Sequence, residues 1–564
     1  MSGPWELGGA VVFLVFETAV KLWDVFHLRF DSDEFQHLHV VWAWTRGMVQ
    51  YRDVFANHMP LFHLACAPLL ALMGEHARDL LWMRLLMLPL FFGSAWLVYR
   101  IGSVTVSRRV GIWSVLLVGA YWRYQSCSTE YRTDNLWMLL WLLCLFILVS
   151  GRLSLRRSLA AGVVLGLCFG VSMKSTILLL ALAIAGGIAL LVSDWQELRI
   201  TWPAVLANAF GFIAATAAVP LSIAAFFAAR GLWPQFRYCV VEHNFLPGWS
   251  PWKIYLRLFI AVAISAFVAW LVLRETARST PFARLFVCLA GAASLLVLRV
   301  SWNHITRQNY LPILPLISIA LAAWLCGSFS KWLRSCPQVS AFRSLKLPVV
   351  TFATLALLIF SVAPHVPLNN QTAPQIKLVR QVLMLTAPND YVFDCKGETI
   401  FRPRSSHLVM ESLTLARLRY NLLVDDVEQR CIETHTVVAV VDGLLPVRAR
   451  EFILGHYISV AGPLRVAGKL LPQVLTDNGD IACEVTIPAS YELVSPEGAV
   501  SGTLDGTSYD GARWLDAGMH HFRPNTFGTR LALLWAPAVK RHFWPEDFGL
   551  RQPSGVGRAS QRDG

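Results

Sequence analysis

Apolar residues come in runs of roughly 17 to 25, the length needed to cross a hydrocarbon core of about 30 Å. These runs recur from the start of the chain to about Pro364 and then stop. They predict about eleven membrane-spanning helices: Leu7 to Trp23, Leu80 to Tyr99, Gly111 to Tyr121, Asn135 to Val149, Leu159 to Val171, Thr176 to Val192, Val205 to Ala228, Ile254 to Val272, Leu285 to Leu298, Tyr310 to Trp324 and Pro348 to Val362. The first run lacks a basic lead and a small-residue cleavage site, so it reads as a retained anchor rather than a signal peptide.

Beyond Pro364 the period changes. Gln375 to Leu385 and Val447 to His456 carry helical spacing, and Tyr391 to Asp394 and Thr436 to Val441 read as short buried strands. From Ile481 the chain becomes short alternating strands divided by turn residues, which predicts a small β-sandwich. The expected organisation is a transmembrane domain over 1–364, a soluble α/β module over 365–480, a β-rich module over 481–547 and a disordered tail over 548–564.

Composition agrees with a membrane domain, at 55% hydrophobic residues and a mean hydropathy of +0.50. The net charge of +13 calls for no nucleic acid, because alternate loops concentrate it as the positive-inside rule requires. Those loops hold Arg100, Arg108 and Arg109; Arg152, Arg156 and Arg157; Arg274, Arg278 and Arg284; and Lys331, Arg334, Arg343 and Lys346. They are assigned to the cytoplasm, which puts Asp33, Glu130, Lys174, His243, His304 and the C-terminal region on the opposite face. Of eleven cysteines, those within apolar runs read as packing residues; among Cys395, Cys431 and Cys483 one disulfide is open.

One outward segment does not fit a mere connector. The loop 24–79 is long, and its apolar residues predict two interfacial helices. It holds Asp31-Ser-Asp-Glu-Phe-Gln-His37 and Tyr51-Arg-Asp-Val-Phe-Ala-Asn-His-Met-Pro60. Acids clustered at the edge of a lipid-embedded body are costly unless chemistry needs them. Plainer readings stand beside this one. Asp33 and Glu34 suit a helix cap and first turn; Arg132 and Asp134 suit an ion pair; Lys174 suits a lysine snorkelling to headgroups. The Trp-rich loops, with Trp42, Trp44, Trp122, Trp249, Trp252 and Trp302, suit an aromatic belt. Asp31, Asp33, His37 and His39 offer donors to a divalent metal, at a spacing that matches no tight metal motif.

The Asp-Glu-x-x-His element followed by Tyr-Arg-Asp and Asn-His-Met-Pro-Leu resembles the first outer loop of the polyprenyl-phosphate-sugar-dependent membrane glycosyltransferases, of GT-C type. That superfamily includes the protein O-mannosyltransferases and the lipid A aminoarabinose transferase. Glu130-Tyr-Arg-Thr-Asp134 is similar to its second-loop Arg-x-Asp element. Gly170-Val-Ser-Met-Lys174 resembles a turn that presents a lysine, and Tyr310-Leu-Pro-Ile-Leu-Pro315 a Tyr/Pro-rich helix start. Where many relatives carry a lysine before the Pro-Leu pair, this chain has His58 and Met59.

The resemblance implies a polytopic helical enzyme that moves a sugar from a polyprenyl-phosphate donor to a lipid, glycan or protein acceptor. It implies catalytic carboxylates at Asp33, Glu34 and Asp134, with Asp33 as base. Substrate contacts are implied at His37, Arg52, His58, Arg132, Lys174, Arg307 and Tyr310, with Lys174, Arg132 and Arg307 facing the leaving phosphate. No cofactor is required beyond the open question of a divalent metal. A bacterial inner membrane with the C-terminal region in the periplasm is the expected setting, and the endoplasmic reticulum shares that topology. The rival from another class is a transporter or flippase of lipid-linked sugars, which would carry its ionisable groups near the bilayer midplane in repeated halves; here the acids lie in outward loops.

Overall fold

The computed structural model describes residues 4–192, 201–245, 255–256, 259–260, 282–302, 304–334, 353–441, 445–472, 479–525 and 530–550. The expected span Ile254 to Val272, Trp249, Trp252 and the tail from residue 551 lie outside the described residues. Ten helices open the chain: α1 (Pro4–His27), α2 (Ser32–Thr45), α3 (Leu61–Met73), α4 (Asp79–Leu85), α5 (Met87–Thr105), α6 (Arg108–Gly119), α7 (Trp122–Cys127), α8 (Thr133–Val149), α9 (Leu155–Val171) and α10 (Ser175–Val192). Longer helices follow at Trp202–Ala229, Phe282–Ser301 and Leu314–Arg334. Among the described residues, three helical stretches are long and apolar enough to cross a membrane, Asp79–Thr105, Trp202–Ala229 and Phe282–Ser301, and five further apolar helices are shorter.

With no hydrophobic drive between helices in lipid, close approach must come from small side chains. Gly162, Gly166 and Gly170 repeat every fourth residue on one face of α9. A Cβ at Gly162 would stand 2.5 Å from the Phe212 carbonyl oxygen, and one at Gly166 would stand 2.8 Å from that of Thr216. The stripe therefore lets α9 lie directly on the backbone of helix Trp202–Ala229.

The first outer loop does form two helices, α2 and α3, but α2 is no amphipathic raft. Every residue from Glu34 to Ala43 is buried, because the C-terminal, sheet-containing domain covers the side left open by the helical bundle. Gly397, at φ +95°, sits so close that a Cβ would lie 3.3 Å from the Gln36 Cα, and His39 Nδ1 is 2.7 Å from the Ile400 carbonyl oxygen. α2 is the layer between the two halves of the molecule.

In the soluble half, a helix at Ala373–Leu385 leads to strands β1 (Val392–Phe393), β2 (Val438–Val440), β3 (Tyr457–Ala461), β4 (Leu464–Leu470), β5 (Ile481–Val485), β6 (Ala489–Val494), β7 (Gly502–Leu504), β8 (Thr507–Tyr509), β9 (Arg513–Leu515), β10 (Gly518–Pro524) and β11 (Ala532–Trp535). A seven-stranded sheet runs β1-β2-β4-β11-β6-β9 with β3 beside β4, and a four-stranded sheet runs β5-β10-β7-β8. β4 pairs antiparallel with β11, so one sheet crosses the boundary expected at residue 480. Residues from both sides of that boundary, among them Val382, Val438, Val466, Leu493, Leu533 and Phe543, share one apolar core. Among the described residues the cysteines form no disulfide.

Arg84 and Glu34 fix α2 on the bundle. Arg84 Nη2 meets Glu34 Oε1 at 2.6 Å with both side chains fully buried, and Arg84 Nε donates to Oε2 at 2.7 Å. The same guanidinium caps the end of the α1 segment, donating to the carbonyls of Leu28 at 2.6 Å and Arg29 at 3.0 Å. Removing one partner of such a pair strands a buried charge at a cost of about 3–5 kcal/mol. Arg84→Met should therefore lower the unfolding temperature of the detergent-solubilised protein sharply, and Glu34→Gln added to it should restore most of the loss. Equal instability of the single and double variants would show that the pairing itself is not what Arg84 provides.

Candidate active site

The site begins at the first turn of α2. Asp31 is its N-cap, accepting from the Asp33 amide at 3.0 Å, while Glu34 Oε1 accepts from the Asp31 amide at 2.8 Å, a capping box. Neighbouring side chains on a helix point about 100° apart, and here that separates two fates. Glu34 turns inward to Arg84 and also accepts the Tyr131 amide at 2.8 Å. It lines no part of the cavity described below, and its oxygens are spent on structure. Asp33 turns outward into that cavity.

The Tyr131 bond hands the chain to Arg132, whose guanidinium is ringed by carboxylates. It donates to Asp31 Oδ1 at 3.1 Å, pairs with Asp33 Oδ2, and lies 3.4 Å from Asp134 Oδ2 and 3.9 Å from Glu130 Oε2. Asp134, in the first turn of α8, is held from the other side by Lys174 Nζ at 3.1 Å. Lys174 stands in the turn between α9 and α10, as its sequence context predicts. Arg307 closes the ring, reaching Asp31 Oδ2 at 3.1 Å and Glu130 Oε1 at 2.8 Å.

The second cation on Asp33 is Lys396, whose Nζ pairs with Oδ1. It comes from the C-terminal domain, 363 residues along the chain. Asp394 builds the tight loop that delivers it, accepting from the Gly397 amide at 2.7 Å, the Thr399 amide at 2.9 Å and Arg404 Nε at 2.6 Å. Glu411, also from the C-terminal domain, accepts from Asn57 Nδ2 at 3.1 Å and lies 3.0 Å from His243 Nε2.

These groups enclose a cavity of about 390 Å³, with Asp33, His58, Arg132, Lys174, Arg307 and Lys396 in its wall and Asn57, Asn244 and Glu411 beside them. A larger and mostly apolar cavity, about 1110 Å³ between α3, α4 and helix Ala373–Leu385, shares no lining residue with it.

Burial alone would raise the Asp33 pKa, but Arg132 and Lys396 outweigh it and hold the carboxyl well below its ordinary value of 3.8. Glu130 goes the other way. Burial pushes it up to about 8 against the pull of Arg132 and Arg307, so it is neutral at pH 7. With Glu130 uncharged, Asp31, Asp33, Asp134 and Glu411 face Arg132, Arg307, Lys174 and Lys396, and the charges balance. Burial, and then the nearby Lys174 charge, bring His58 down to about 4; it is a neutral hydrogen-bonding group where a lysine was absent from the sequence motif.

Three expected contacts fall elsewhere. His37 is buried behind the wall, its Nδ1 3.0 Å from His63 Nε2. Arg52 is more than half exposed and pairs with adjacent Asp53 at 2.8 Å. Tyr310 faces a separate cavity on the far side of Arg307. The donors considered for a metal diverge, with His39 turned to Ile400; among the described residues no three His, Cys, Asp or Glu side chains converge as ligands. Lys396 and Glu411 carried no signal in the sequence beyond a turn-forming Asp-x-x-Gly.

No family model and no curated protein matches the chain. Solved structures do. ArnT from Cupriavidus metallidurans bound to undecaprenyl phosphate aligns over 82% of this chain and 98% of its own, at 12% identity and a TM-score of 0.55. The apo form of that protein aligns over the same shares at 14% identity and a TM-score of 0.52. The Archaeoglobus fulgidus oligosaccharyltransferase aligns over 78% of this chain and 69% of its own, at 11% identity and a TM-score of 0.48, too slight a likeness to add weight. The chain has the fold of ArnT.

Proposed function

We propose that this protein is an integral-membrane glycosyltransferase that moves a sugar from a polyprenyl-phosphate donor to a hydroxyl of a lipid, glycan or protein of the cell envelope. One observation carries the reading: an ionised carboxylate, Asp33, shares a cavity with four cations at the edge of a helical membrane domain whose fold is that of a protein solved with undecaprenyl phosphate. The setting we assign is a bacterial inner membrane with the soluble domain in the periplasm.

In the chemistry this supports, the acceptor oxygen attacks the anomeric carbon and its proton passes to Asp33. The bond from that carbon to the phosphate oxygen breaks, and the polyprenyl phosphate departs with the electron pair. Cations at the phosphate stabilise the charge as it develops, and Lys174, Arg132 and Arg307 are assigned to it. Asp134 orients Lys174 and Arg132, and Glu34 positions α2. A carboxylate clamped by two cations is a weak base. A donor phosphate competes for Arg132 and Lys396, so binding of the donor itself raises the basicity of Asp33 at the moment when a base is needed.

Loss of a general base costs about 10²–10⁴ in rate. Asp33→Asn in lipid vesicles should lower turnover by that order with polyprenyl-phosphate sugars and envelope acceptors in protein that still folds, its unfolding temperature falling by the loss of the pairs with Arg132 and Lys396. Equal turnover would remove Asp33 from the base role, and lipid-linked sugar crossing the bilayer without transfer would replace the enzyme by a flippase.

The pH profile follows from the two shifted acids. Because the folded-state pKa of Asp33 is depressed, its charge and the stability it contributes persist above 3.8 and are lost only as pH falls through the lower folded value. Glu130, raised to about 8, gains charge as pH rises through that value and then competes for Arg132 and Arg307. Transfer should therefore stay flat from pH 5 to 7 and fall above about 8, and Glu130→Gln should remove the alkaline fall. An alkaline limb unchanged in that variant would assign the limb to another group.

A further inference from the structure

On the far side of Arg307 lies a second cavity, of about 460 Å³, walled by Tyr121, Arg123, Arg299, Arg307 and Tyr310, with no carboxylate among its described lining residues. Three guanidiniums repel one another unless an anion joins them. Arg307 has its partners on the active-site side, but neither Arg123 nor Arg299 meets a carboxylate among the described residues. Arg299 Nε is buried with no hydrogen-bond partner, and its guanidinium lies 5.1 Å from the centre of the Tyr310 ring, an arrangement that holds the head in place.

Bland explanations cover only part of this. Arg299 closes helix Phe282–Ser301, where a cation suits the helix dipole. Arg123 is second in α7, at a helix N-terminus, where a cation is disfavoured. All three arginines stand on the face assigned as outward, against the charge bias of short membrane loops. Apart from Thr306 the rest of the wall is apolar: Ile305, Leu311 and Leu314 line it, and the last two lead into the apolar helix Leu314–Arg334. A ligand that fits has a phosphate at one end and hydrocarbon at the other.

We infer that this cavity binds the phosphodiester headgroup of an anionic membrane phospholipid, at a site separate from the donor phosphate. Because Arg307 forms the shared wall, a phosphate there competes with Asp31 and Glu130 for it, and the lipid composition of the membrane acts on the active site through one side chain.

The test is lipid retention, read by native mass spectrometry of the full chain released from nanodiscs holding equal phosphatidylglycerol and phosphatidylcholine, with undecaprenyl phosphate binding measured separately. The wild type should retain phosphatidylglycerol, and Arg123→Gln/Arg299→Gln should lose about tenfold of that retention. Arg123→Lys/Arg299→Lys should recover part of it, and undecaprenyl phosphate binding should change far less than tenfold throughout, because only Arg307 is shared. Unchanged phosphatidylglycerol retention in the Gln pair would overturn the site. So would equal loss of undecaprenyl phosphate, which would merge this cavity with the donor site. Millimolar inorganic phosphate protecting the wild type, with no lipid retained, would overturn the lipid as its source. None of these readouts needs sugar transfer, so they stand or fall apart from the transferase reading.

Discussion

The Arg132 guanidinium is the group on which the rest of the site depends. Four carboxylates from two segments converge on it: Asp31 and Asp33 from the start of α2, and Glu130 and Asp134 on either side of it in sequence. Taking so much charge out of water is tolerable only when each group finds a partner. Here Lys174, Arg307 and Lys396 supply what Arg132 alone cannot, and Glu130 gives up its charge. The network ties the bundle, the first outer loop and the soluble domain into one arrangement. No member can be removed without unbalancing the others.

Much of this was legible in the sequence, for physical reasons. Apolar runs reported the helices because lipid allows little else. The positive-inside bias gathered Asp33, Glu130 and Lys174 on one face before any coordinates, and the structure places all three at one cluster. The capping reading put the helix cap at Asp33, whereas the N-cap is Asp31, with Glu34 completing its capping box, and Asp33 faces the cavity. What separated Asp33 from Glu34 was the direction of each side chain relative to Arg84, a contact 50 residues distant, which no local pattern encodes.

The remainder was illegible because it is long-range. Lys396 and Asp33 meet across 363 residues, and nothing near Lys396 marks it as more than a surface lysine in a turn. Arg52 read as a substrate contact by its place in the motif, yet its neighbour Asp53 satisfies it locally. The apolar pattern of α2 suggested a helix half in lipid and half in water, when its polar side is covered by the loop around Gly397. The expected break at residue 480 followed a change in strand rhythm, but β11 returns to pair with β4, and strand pairing overrides rhythm.

The charge balance bears on how such a site would turn over. Every cation in the cavity already has a carboxylate, so a phosphate enters by exchange rather than by filling a vacancy, and part of its binding energy is spent in releasing Asp33. That spending weakens ground-state binding and favours the step in which a base is required. The same exchange works in reverse. A polyprenyl phosphate product carries more charge than the sugar-bearing donor and would hold four free cations tightly, but Asp31, Asp33 and Asp134 stand ready to take them back. A purely basic pocket would bind the donor better and release the product worse. On this reading the carboxylates that seem to blunt the cations are what allow the site to empty.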